Sequence, residues 1–259
     1  MQRVLIIAGS DPSGGAGIQA DIKTVTCLGG YAMTAITALT VQNTLGVTDV
    51  LAVPPAFMAA QAVACLEDIG ADAIKTGMLG NAAMMEAVVG IMDASSAFKV
   101  VDPVMVAKGG HALLAEQAVG ALKGMMLPRA DLLTPNTPEA AALVGFAVES
   151  EDDVRRAGEA LLKAGAKNVL IKGGHLAGAE VVDLLFTPDM MFRFAAERIE
   201  TVHTHGTGCT LASACATLWR PDRPLSETVA MARDYVMGAI LMAPGLGHGH
   251  GPLRHNWML

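Results

Sequence analysis

Aromatic residues are scarce in this sequence of 259 residues: they make up 4% of the chain, whereas apolar residues make up 52%. Alanine, valine, isoleucine, leucine and methionine must therefore fill the interior. Charged residues are also few, at 17%, and this low fraction argues for a compact fold rather than for disorder. The length is sufficient for one large α/β domain with a sizeable core.

The sequence lacks a basic excess, since its net charge is −7. A general nucleic-acid binder needs a basic face, so we expect no nucleic-acid partner. Apolar runs long enough to span a bilayer are also missing, because glycine, proline or charged residues interrupt each of them. The first segment meets Asp11 early, which favours a β-strand over a signal peptide. We therefore expect no membrane partner.

Cysteine pairs and zinc-type spacings are absent. The four cysteines, at positions 27, 65, 209 and 215, form no C-x-x-C motif, which argues against a structural zinc site. A cytoplasmic protein with reduced thiols is the simplest interpretation. The tail at 245–259 is rich in glycine and histidine. Because its histidines alternate with glycines, we favour an ordinary surface or packing segment over a metal site.

Two common nucleotide-binding motifs are missing or incomplete. No G-x-x-x-x-G-K-[ST] occurs, which excludes a P-loop NTPase by motif. Gly15-x-Gly17-x-x-Ala20 formally matches a dinucleotide fingerprint, but the following strand ends near Gln42 instead of at an acidic residue. We therefore disfavour NAD binding.

Short apolar runs of strand type alternate with longer helical patterns along the chain. Near-continuous apolar strands separated by helices predict a mostly parallel sheet covered on both faces. The segment 180–202 breaks this alternation and predicts short antiparallel strands at one edge. The predicted strands are 3–8, 32–39, 47–53, 72–77, 98–102, 131–135 and 168–172, and the predicted helices are 16–28, 55–69, 81–94, 112–124, 137–144, 151–164, 208–218 and 224–242. No linker, repeat or low-complexity tract divides the chain, so we expect one domain over residues 1–259.

Two predicted helices carry signals of their first residue. Ser150 followed by Asp153 resembles a capping box and predicts a helix that begins near residue 151. Thr137 followed by Pro138 suits an N-cap and a first helical position.

The loops predicted at the carboxyl ends of the strands hold glycines and unusual polar residues. Ligands of open parallel sheets bind beyond these ends, so the clustering predicts a single active site. The loops are GSDPSGGAG (9–17), TVQNT (40–44), TGMLG (76–80), DPVMVAKGG (102–110), TPNTPE (134–139), GGH (173–175) and HGTGC (205–209).

The last of these loops places a glycine turn at the start of a predicted helix. The turn comprises Gly206, Thr207, Gly208 and Cys209. Its unpaired N–H groups would lie at the positive end of the helix dipole and form an anion hole. Phosphoryl transfer needs such a site, because negative charge accumulates on the transferring group and the leaving oxygen. An ordinary glycine-capped turn before a core helix is the alternative that the pattern leaves open.

Other strand ends carry further candidates for phosphate and metal binding. Asn136 and Glu139, three residues apart at a helix start, could order a hydrated Mg²⁺ and phosphate oxygens. Asp102 is a second carboxylate for the same ion. Lys172 could reach a nucleotide phosphate, and Lys108 could close over the site as part of a lid. Loop-capping side chains and solvated lysines are the structural alternatives.

Together these segments resemble the ribokinase-like superfamily and, within it, the hydroxymethylpyrimidine/phosphomethylpyrimidine kinases of thiamine biosynthesis. The similarity covers essentially the whole chain, and the order and spacing of the motifs are more specific than any one of them. The motifs are GSDPSGGAGIQAD (9–21), ALTVQNT (38–44), KTGML (75–79), DPVM (102–105), TPNTPEA (134–140), KGGH (172–175), HTHGTGCTL (203–211) and GHGHGP (247–252).

This resemblance implies a ribokinase-like three-layer α/β/α fold, a homodimer, and the use of ATP and Mg²⁺. It also implies two reactions: phosphorylation of the hydroxymethyl group of 4-amino-5-hydroxymethyl-2-methylpyrimidine, and phosphorylation of that monophosphate to the diphosphate. Since the kinase motifs extend to the last dozen residues, we expect no fused thiamine-phosphate synthase.

The resemblance further implies roles for single residues in the substrate pocket. Gln42 is expected to read the pyrimidine edge, because an amide both donates and accepts hydrogen bonds. Asp21, Met78 and Val104 are expected to line the same pocket, with Met78 in apolar contact with the ring. The alternatives are a helix-surface aspartate and two core residues.

Cys209 stands where most ribokinase-like sugar kinases carry an aspartate that acts as the base. A thiol near a helix N-terminus can be shifted toward thiolate, which could accept the hydroxyl proton of the substrate. In the alternative, the thiol fills space and only its backbone N–H serves the anion hole, since a loose transition state needs little help from a base.

Two rival functions share this fold. A pyridoxine or pyridoxal kinase is the closer one, although Gln42 and Met78 favour the aminopyrimidine. A non-catalytic nucleotide-binding regulator is the other, and it is disfavoured because the anion-hole turn and the phosphate-binding candidates are all present.

Overall fold

The computed structural model describes residues 1–105, 113 and 118–259 of the chain. Within these residues nine strands are present: β1 (Arg3–Ser10), β2 (Tyr31–Asn43), β3 (Gly46–Ala52), β4 (Ala73–Thr76), β5 (Phe98–Val101), β6 (Leu132–Leu133), β7 (Val169–Ile171), β8 (Glu180–Phe186) and β9 (Met191–Glu197). They form one sheet in the order β3-β2-β1-β4-β5-β6-β7-β8-β9. Each predicted strand corresponds to one of these, and the segment 180–202 supplies β8 and β9.

Helices alternate with the strands as predicted. They are α1 (Gly17–Cys27), α2 (Pro55–Asp68), α3 (Ala82–Asp93), α4 (Val119–Ala121), α5 (Thr137–Val144), α6 (Glu151–Lys163), α7 (Thr207–Leu218) and α8 (Leu225–Leu241). A π-helical turn at Leu122–Met126 and a 3₁₀ turn at Leu127–Arg129 continue α4. The helix predicted at 112–124 falls partly outside the described residues, and its described end is this irregular segment. In the described ranges, no helix has the length and apolar character needed to cross a membrane.

The sheet is parallel in its centre and antiparallel at both edges. β1 pairs in parallel with β2 and β4, and parallel pairing continues through β5, β6 and β7. β8 and β9 extend this side in antiparallel order, as predicted. β3 is antiparallel to β2 at the opposite edge, which was not predicted. Only residues 44–45 separate these two strands, and so short a connection permits only a hairpin.

Both faces of the sheet are covered, which is why the central strands are buried. In β1, Leu5 and Ile7 pack into an apolar cluster that includes residues of α2, α3 and α6. Val4 and Ile6 belong to a second cluster, which includes residues of α1, α7 and α8. The alternation of β1 side chains between two covered faces confirms the predicted three-layer α/β/α arrangement.

Side-chain caps begin the two helices that carried capping signals. Ser150 is the N-cap of α6, and its Oγ accepts a hydrogen bond from the N–H three residues on at 3.1 Å, as predicted. The N-cap of α5 is Asn136, not Thr137 as predicted, because the Asn136 side-chain oxygen accepts from Glu139 N at 2.8 Å. Glu139 completes a capping box, since its Oε2 accepts from Asn136 N at 2.8 Å. Pro138 is consequently the second residue of the helix and not the first.

Candidate active site

A cavity of about 700 Å³ lies at the carboxyl ends of the central parallel strands. The loops after β1, β5 and β6, the end of β2 and the first turn of α7 contribute to its wall, together with residues of β8, β9, α5 and α8. Each of the seven loops predicted to converge contributes at least one residue to this wall. The parallel sheet thus brings distant segments of the chain to one place.

The first turn of α7 lies against the loop after β1. Gly206 is the N-cap residue and has a φ of +83°, a backbone conformation that favours glycine. A Cβ at this position would also overlap the Gly15 carbonyl oxygen. Thr207 fixes the turn, since its Oγ1 donates to Thr204 O at 2.7 Å. The first N–H groups of a helix have no acceptor within it, so the amides that follow Thr207 can bind an anion.

Lys172 brings a positive charge to the same turn. Its Nζ lies 2.9 Å from Asp102 Oδ1 and 3.9 Å from Glu139 Oε2. A Cβ on Gly208 would stand 3.2 Å from this Nζ, so the ammonium group lies beside the first turn of α7. Burial lowers the pKa of Lys172, but the carboxylates of Asp102 and Glu139 outweigh burial and raise it. The charged lysine and the turn together form what we call the anion-binding corner.

The two carboxyl groups beside Lys172 have different surroundings. Thr134 Oγ1 donates a hydrogen bond to Asp102 Oδ1 at 3.0 Å. Burial raises the pKa of Glu139 to about 7, with a further contribution from the charge of Asp102 and against the attraction of Lys172. Part of the Glu139 population is therefore protonated at neutral pH.

The donor set at this corner fits a hydrated Mg²⁺ better than a fully protein-ligated one. Within the described residues, no group of three His, Cys, Asp or Glu side chains is arranged to hold a metal ion. Asp102 and Glu139 both supply carboxylate oxygens, but Lys172 already pairs with each of them. They suit an ion whose other ligands are water and phosphate oxygens.

β2 carries Gln42, the residue that is expected from the sequence to read the substrate. Its side chains alternate, so that Thr40 and Gln42 line the cavity while Val41, between them, is exposed on the outer side. Met78, after β4, and Val104, after β5, line the cavity as well. The structure brings Gln42, Met78 and Val104 into the same cavity as the anion-binding corner.

Residues 11–254 match the phosphomethylpyrimidine kinase family. The chain belongs to this family. It is 49% identical over 253 residues to the bifunctional thiamine biosynthesis protein of Geobacter sulfurreducens, a match that covers 97% of this chain and 52% of that protein. It is 46% identical over 256 residues to the hydroxymethylpyrimidine/phosphomethylpyrimidine kinase of Streptomyces coelicolor, with 99% of this chain and 95% of that protein covered.

The fold of this family member is also similar to that of a pyridoxal kinase. The structure of the Bacillus subtilis pyridoxal kinase in complex with ADP matches with a TM-score of 0.92 and 33% identity, covering 100% of this chain and 98% of that one. The similarity confirms the ribokinase-like fold.

Asp21 does not line the substrate pocket, contrary to the expectation from the sequence. It is fully buried in α1 and does not form part of the cavity wall, whereas Lys75 does. Both carboxylate oxygens of Asp21 lie 2.9 Å from Lys75 Nζ. The aspartate stays behind the wall because a buried lysine needs a neutralising partner. A lysine within the apolar strand DAIKTG was the signal that sequence reasoning passed over.

Cys209 lines the cavity from the first turn of α7, but its thiol is not activated. Burial raises the pKa of the thiol to about 11, and the positive charge of Lys75 offsets this only in part. The carboxylates of Asp21 and Asp102 add to the effect of burial. Of the two roles that the sequence left open for Cys209, the raised pKa favours the one in which the thiol stays protonated and the backbone N–H serves the anion hole.

Sequence reasoning also missed a contact between the loop after β1 and the turn before α7. His205 Nε2 lies 2.8 Å from Asp11 Oδ2. The backbone N–H groups of Ser13 and Ala16 donate to the same carboxylate. Burial alone would raise the pKa of Asp11, but these donors outweigh burial and lower it to about 2. Nothing in the sequence pairs two residues that stand 194 positions apart.

The lid lysine predicted from the sequence, Lys108, lies outside the described residues. Its role stays a prediction.

Proposed function

We propose that the protein catalyses two ATP-dependent phosphorylations in thiamine biosynthesis. The first converts 4-amino-5-hydroxymethyl-2-methylpyrimidine to its monophosphate, and the second converts the monophosphate to the diphosphate. The observation that carries this proposal is a single cavity that joins the anion-binding corner to a wall containing Gln42, Met78 and Val104. It occurs in a chain of the phosphomethylpyrimidine kinase family.

The anion-binding corner would supply the electrostatics of phosphoryl transfer. ATP phosphates placed there meet the ammonium group of Lys172 and the amides of Gly208 and Cys209. Charge that develops on the leaving oxygen is stabilised by the same donors. These donors need no rearrangement during the reaction, because Gly206 and Thr207 already fix the turn.

Mg²⁺ is the metal that we propose for this corner. When bound, it neutralises charge on the nucleotide phosphates. Asp102 and Glu139 would hold its water ligands. Asn136 keeps Glu139 in place through the capping box and itself lines the cavity, within the space that the phosphates would occupy.

Gln42 would recognise the edge of the pyrimidine ring. The substrate carries an amine, which donates, beside a ring nitrogen, which accepts, and a side-chain amide can pair with both. Met78 would add a polarisable apolar contact to the ring, and Val104 a second apolar contact. Asp21 would act only through Lys75, whose charge it balances.

Cys209 would serve the reaction through its backbone N–H. A thiol with a pKa of about 11 holds little thiolate at neutral pH. A loose phosphoryl-transfer transition state also demands little of a base. The protonated thiol then occupies space beside the substrate hydroxyl and leaves the helix amides to bind the phosphoryl group.

A pyridoxine or pyridoxal kinase is the second candidate function. The structural similarity to a pyridoxal kinase favours it, but the identity to that protein is 33%, against 46% to a hydroxymethylpyrimidine/phosphomethylpyrimidine kinase. Purified protein incubated with Mg-ATP and either alcohol, with products resolved by mass, separates the two functions. Pyrimidine monophosphate that proceeds to diphosphate supports our proposal. Product from pyridoxine alone assigns the protein to vitamin B6 salvage, and no product from either alcohol indicates a regulator.

We also propose that the protein is a cytoplasmic homodimer whose chains each form one kinase domain over residues 1–259. An apolar outer face on the β2–β3 hairpin supports the dimer. Leu39 and Leu51 lie opposite each other across the two strands, and Val41 follows on the same face. Their exposed fractions are 44%, 67% and 59%, respectively. Apolar side chains grouped at a sheet edge mark a surface for protein contacts.

A further inference from the structure

His205 contacts residues from two separate parts of the cavity wall. Its Nε2 lies 2.8 Å from Asp11 Oδ2, and the same Nε2 lies 3.3 Å from Nε2 of Gln42. His205 and Asp11 are 4% and 2% exposed. The ring lies against Gly15, where a Cβ would overlap it, and the backbone N–H of His205 donates to the Gly251 carbonyl oxygen at 3.1 Å.

The carboxylate of Asp11 determines which ring nitrogen of His205 carries a hydrogen. Its carboxylate accepts hydrogen bonds from Ser13 N at 2.9 Å, Ser13 Oγ at 2.7 Å and Ala16 N at 2.8 Å. A carboxylate surrounded by donors is ionised and can only accept. The Nε2 of His205 must therefore carry a hydrogen and donate it to Asp11. An Nε2–H group cannot accept a hydrogen from the Gln42 amide.

Thr40 determines which terminal group of Gln42, the oxygen or the NH₂ group, lies on the side away from His205. Its Oγ1 lies 2.9 Å from the Ser10 carbonyl oxygen, which can only accept, so the hydroxyl hydrogen points there. The same Oγ1 lies 3.1 Å from the Gln42 atom assigned as Oε1, and because its own hydrogen points to Ser10, this position suits the NH₂ group of Gln42 better. A half-turn of the terminal amide suits both neighbours: its NH₂ group then donates to Thr40, and its oxygen is a second, longer acceptor for the one Nε2–H hydrogen of His205, whose shorter bond is to Asp11. The second hydrogen of the NH₂ group then remains available to a ligand.

We propose that His205 is a positioning residue that fixes the direction of the Gln42 amide and thereby sets the substrate preference of the ring pocket. This inference rests on the proposed function, in which Gln42 reads the substrate. With its oxygen held at His205 and its NH₂ at Thr40, the amide offers a ligand one acceptor and one donor in a fixed order. An aminopyrimidine edge matches that order. Pyridoxine does not, since its ring nitrogen is not adjacent to the carbon that bears its hydroxyl group.

A matched pair of variants isolates the hydrogen bond from the shape of the ring. In His205→Gln, the side-chain NH₂ group comes close to the position of Nε2 and has two hydrogens, one for Asp11 and one for Gln42. His205→Met has the same length and no donor. We expect H205M to raise the KM for the pyrimidine alcohol by about 10-fold or more. The KM for ATP should change by less than about 2-fold, since the anion-binding corner keeps its own donors.

Substrate preference is the readout that a merely structural role would not move. The ratio of kcat/KM for the pyrimidine alcohol to that for pyridoxine should fall by about 10-fold in H205M, and H205Q should restore most of it. Thr40→Val, which removes the acceptor on the other side of the amide and leaves the turn untouched, should lower the same ratio. Equal loss in H205Q and H205M, a parallel rise of both KM values, or an unchanged ratio in H205M and T40V would overturn the proposal.

Nitrogen NMR of histidine-labelled protein tests the orientation without turnover. The His205 signals are assigned by their loss in H205Q, and their shifts show which ring nitrogen carries the hydrogen. We expect the hydrogen on Nε2. An unprotonated Nε2 would overturn the inference even in a protein that phosphorylates the pyrimidine alcohol. Absence of turnover with that alcohol in the wild-type protein would instead contradict the proposed function, and the NMR result would still decide the orientation.

Discussion

The ammonium group of Lys75 lies 2.9 Å from both carboxylate oxygens of Asp21, and neither side chain is exposed to solvent. Ser213 Oγ donates to the same carboxylate at 2.7 Å. Burial lowers the pKa of Lys75, but the charge of Asp21 outweighs burial and raises it. The pair joins α1, β4 and α7 directly behind the cavity and keeps a positive charge close to Cys209.

Replacing Lys75 with methionine should destabilise the protein strongly. Asp21 would keep only the Ser213 hydrogen bond and become a buried charge without a counterion. We expect the free energy of unfolding, measured with urea at pH 7, to fall by about 3–5 kcal/mol. The double variant K75M/D21N, which removes both charges, should recover part of this loss. A K75M protein as stable as the wild type would contradict the buried-pair account.

Replacing Cys209 with alanine should leave most of the turnover intact. The variant keeps the backbone N–H, and the thiol has a pKa of about 11 in the wild type. We expect kcat with the pyrimidine alcohol to fall by less than about 10-fold, whereas loss of a general base typically costs about 100-fold or more. Cys215→Ala is the control, since this second thiol of α7 is fully buried. A 100-fold loss in C209A alone would show that the thiol acts as the base.

Glu139 should make the stability of the protein depend on pH. Its pKa rises from 4.5 to about 7 on folding, so the folded state binds the proton more tightly. The stability that this proton contributes to the folded state is fully present below about pH 4.5 and is lost as the pH rises through about 7. Glu139→Gln has no such proton and still completes the capping box.

Urea unfolding of both proteins at pH 5 and pH 8 measures this effect. We expect the free energy of unfolding of E139Q, relative to that of the wild type, to increase by about 1–3 kcal/mol between the two pH values. The capping box is common to both proteins and cancels in the comparison. A difference that does not change with pH would show that Glu139 is ionised throughout.

Val41→Glu should convert the proposed dimer to monomers. Val41 is 59% exposed on the outer face of β2, and a carboxylate buried there without a partner would oppose association. Size-exclusion chromatography with light scattering gives the mass of each protein. Met231→Glu, at a 42% exposed position on α8, is the control and should keep the mass of the wild type. A wild-type protein with the mass of one chain would disprove the dimer.

Much of the fold could be predicted because it follows from local patterns. Apolar strands such as β1 indicate a sheet covered on both faces, and the rule that ligands bind at the carboxyl ends of parallel strands brings Gln42, Lys172 and Cys209 together. The antiparallel pairing of β3 was not predicted, because the predicted strand ends at residue 39 and the short connection at 44–45 becomes visible only in the structure, where β2 extends to Asn43.

The rest depends on contacts between residues far apart in the chain. Asp21 and Lys75 stand 54 positions apart, and Asp11 and His205 stand 194 apart, so no local pattern shows that they meet. The protonation of Cys209 could not be predicted either. A helix N-terminus lowers a thiol pKa and burial raises it, and only the packing of the folded chain determines which effect is larger.

The central claim is that one cavity binds an aminopyrimidine alcohol and carries out both phosphorylations. A competition assay tests it directly: equal concentrations of the pyrimidine alcohol and pyridoxine share limiting Mg-ATP, and the products are resolved by mass over time. We predict that the pyrimidine monophosphate forms first and becomes the diphosphate, with pyridoxine phosphate as a minor product. Pyridoxine phosphate as the main product, or a pyrimidine monophosphate that never proceeds to the diphosphate, would contradict the account.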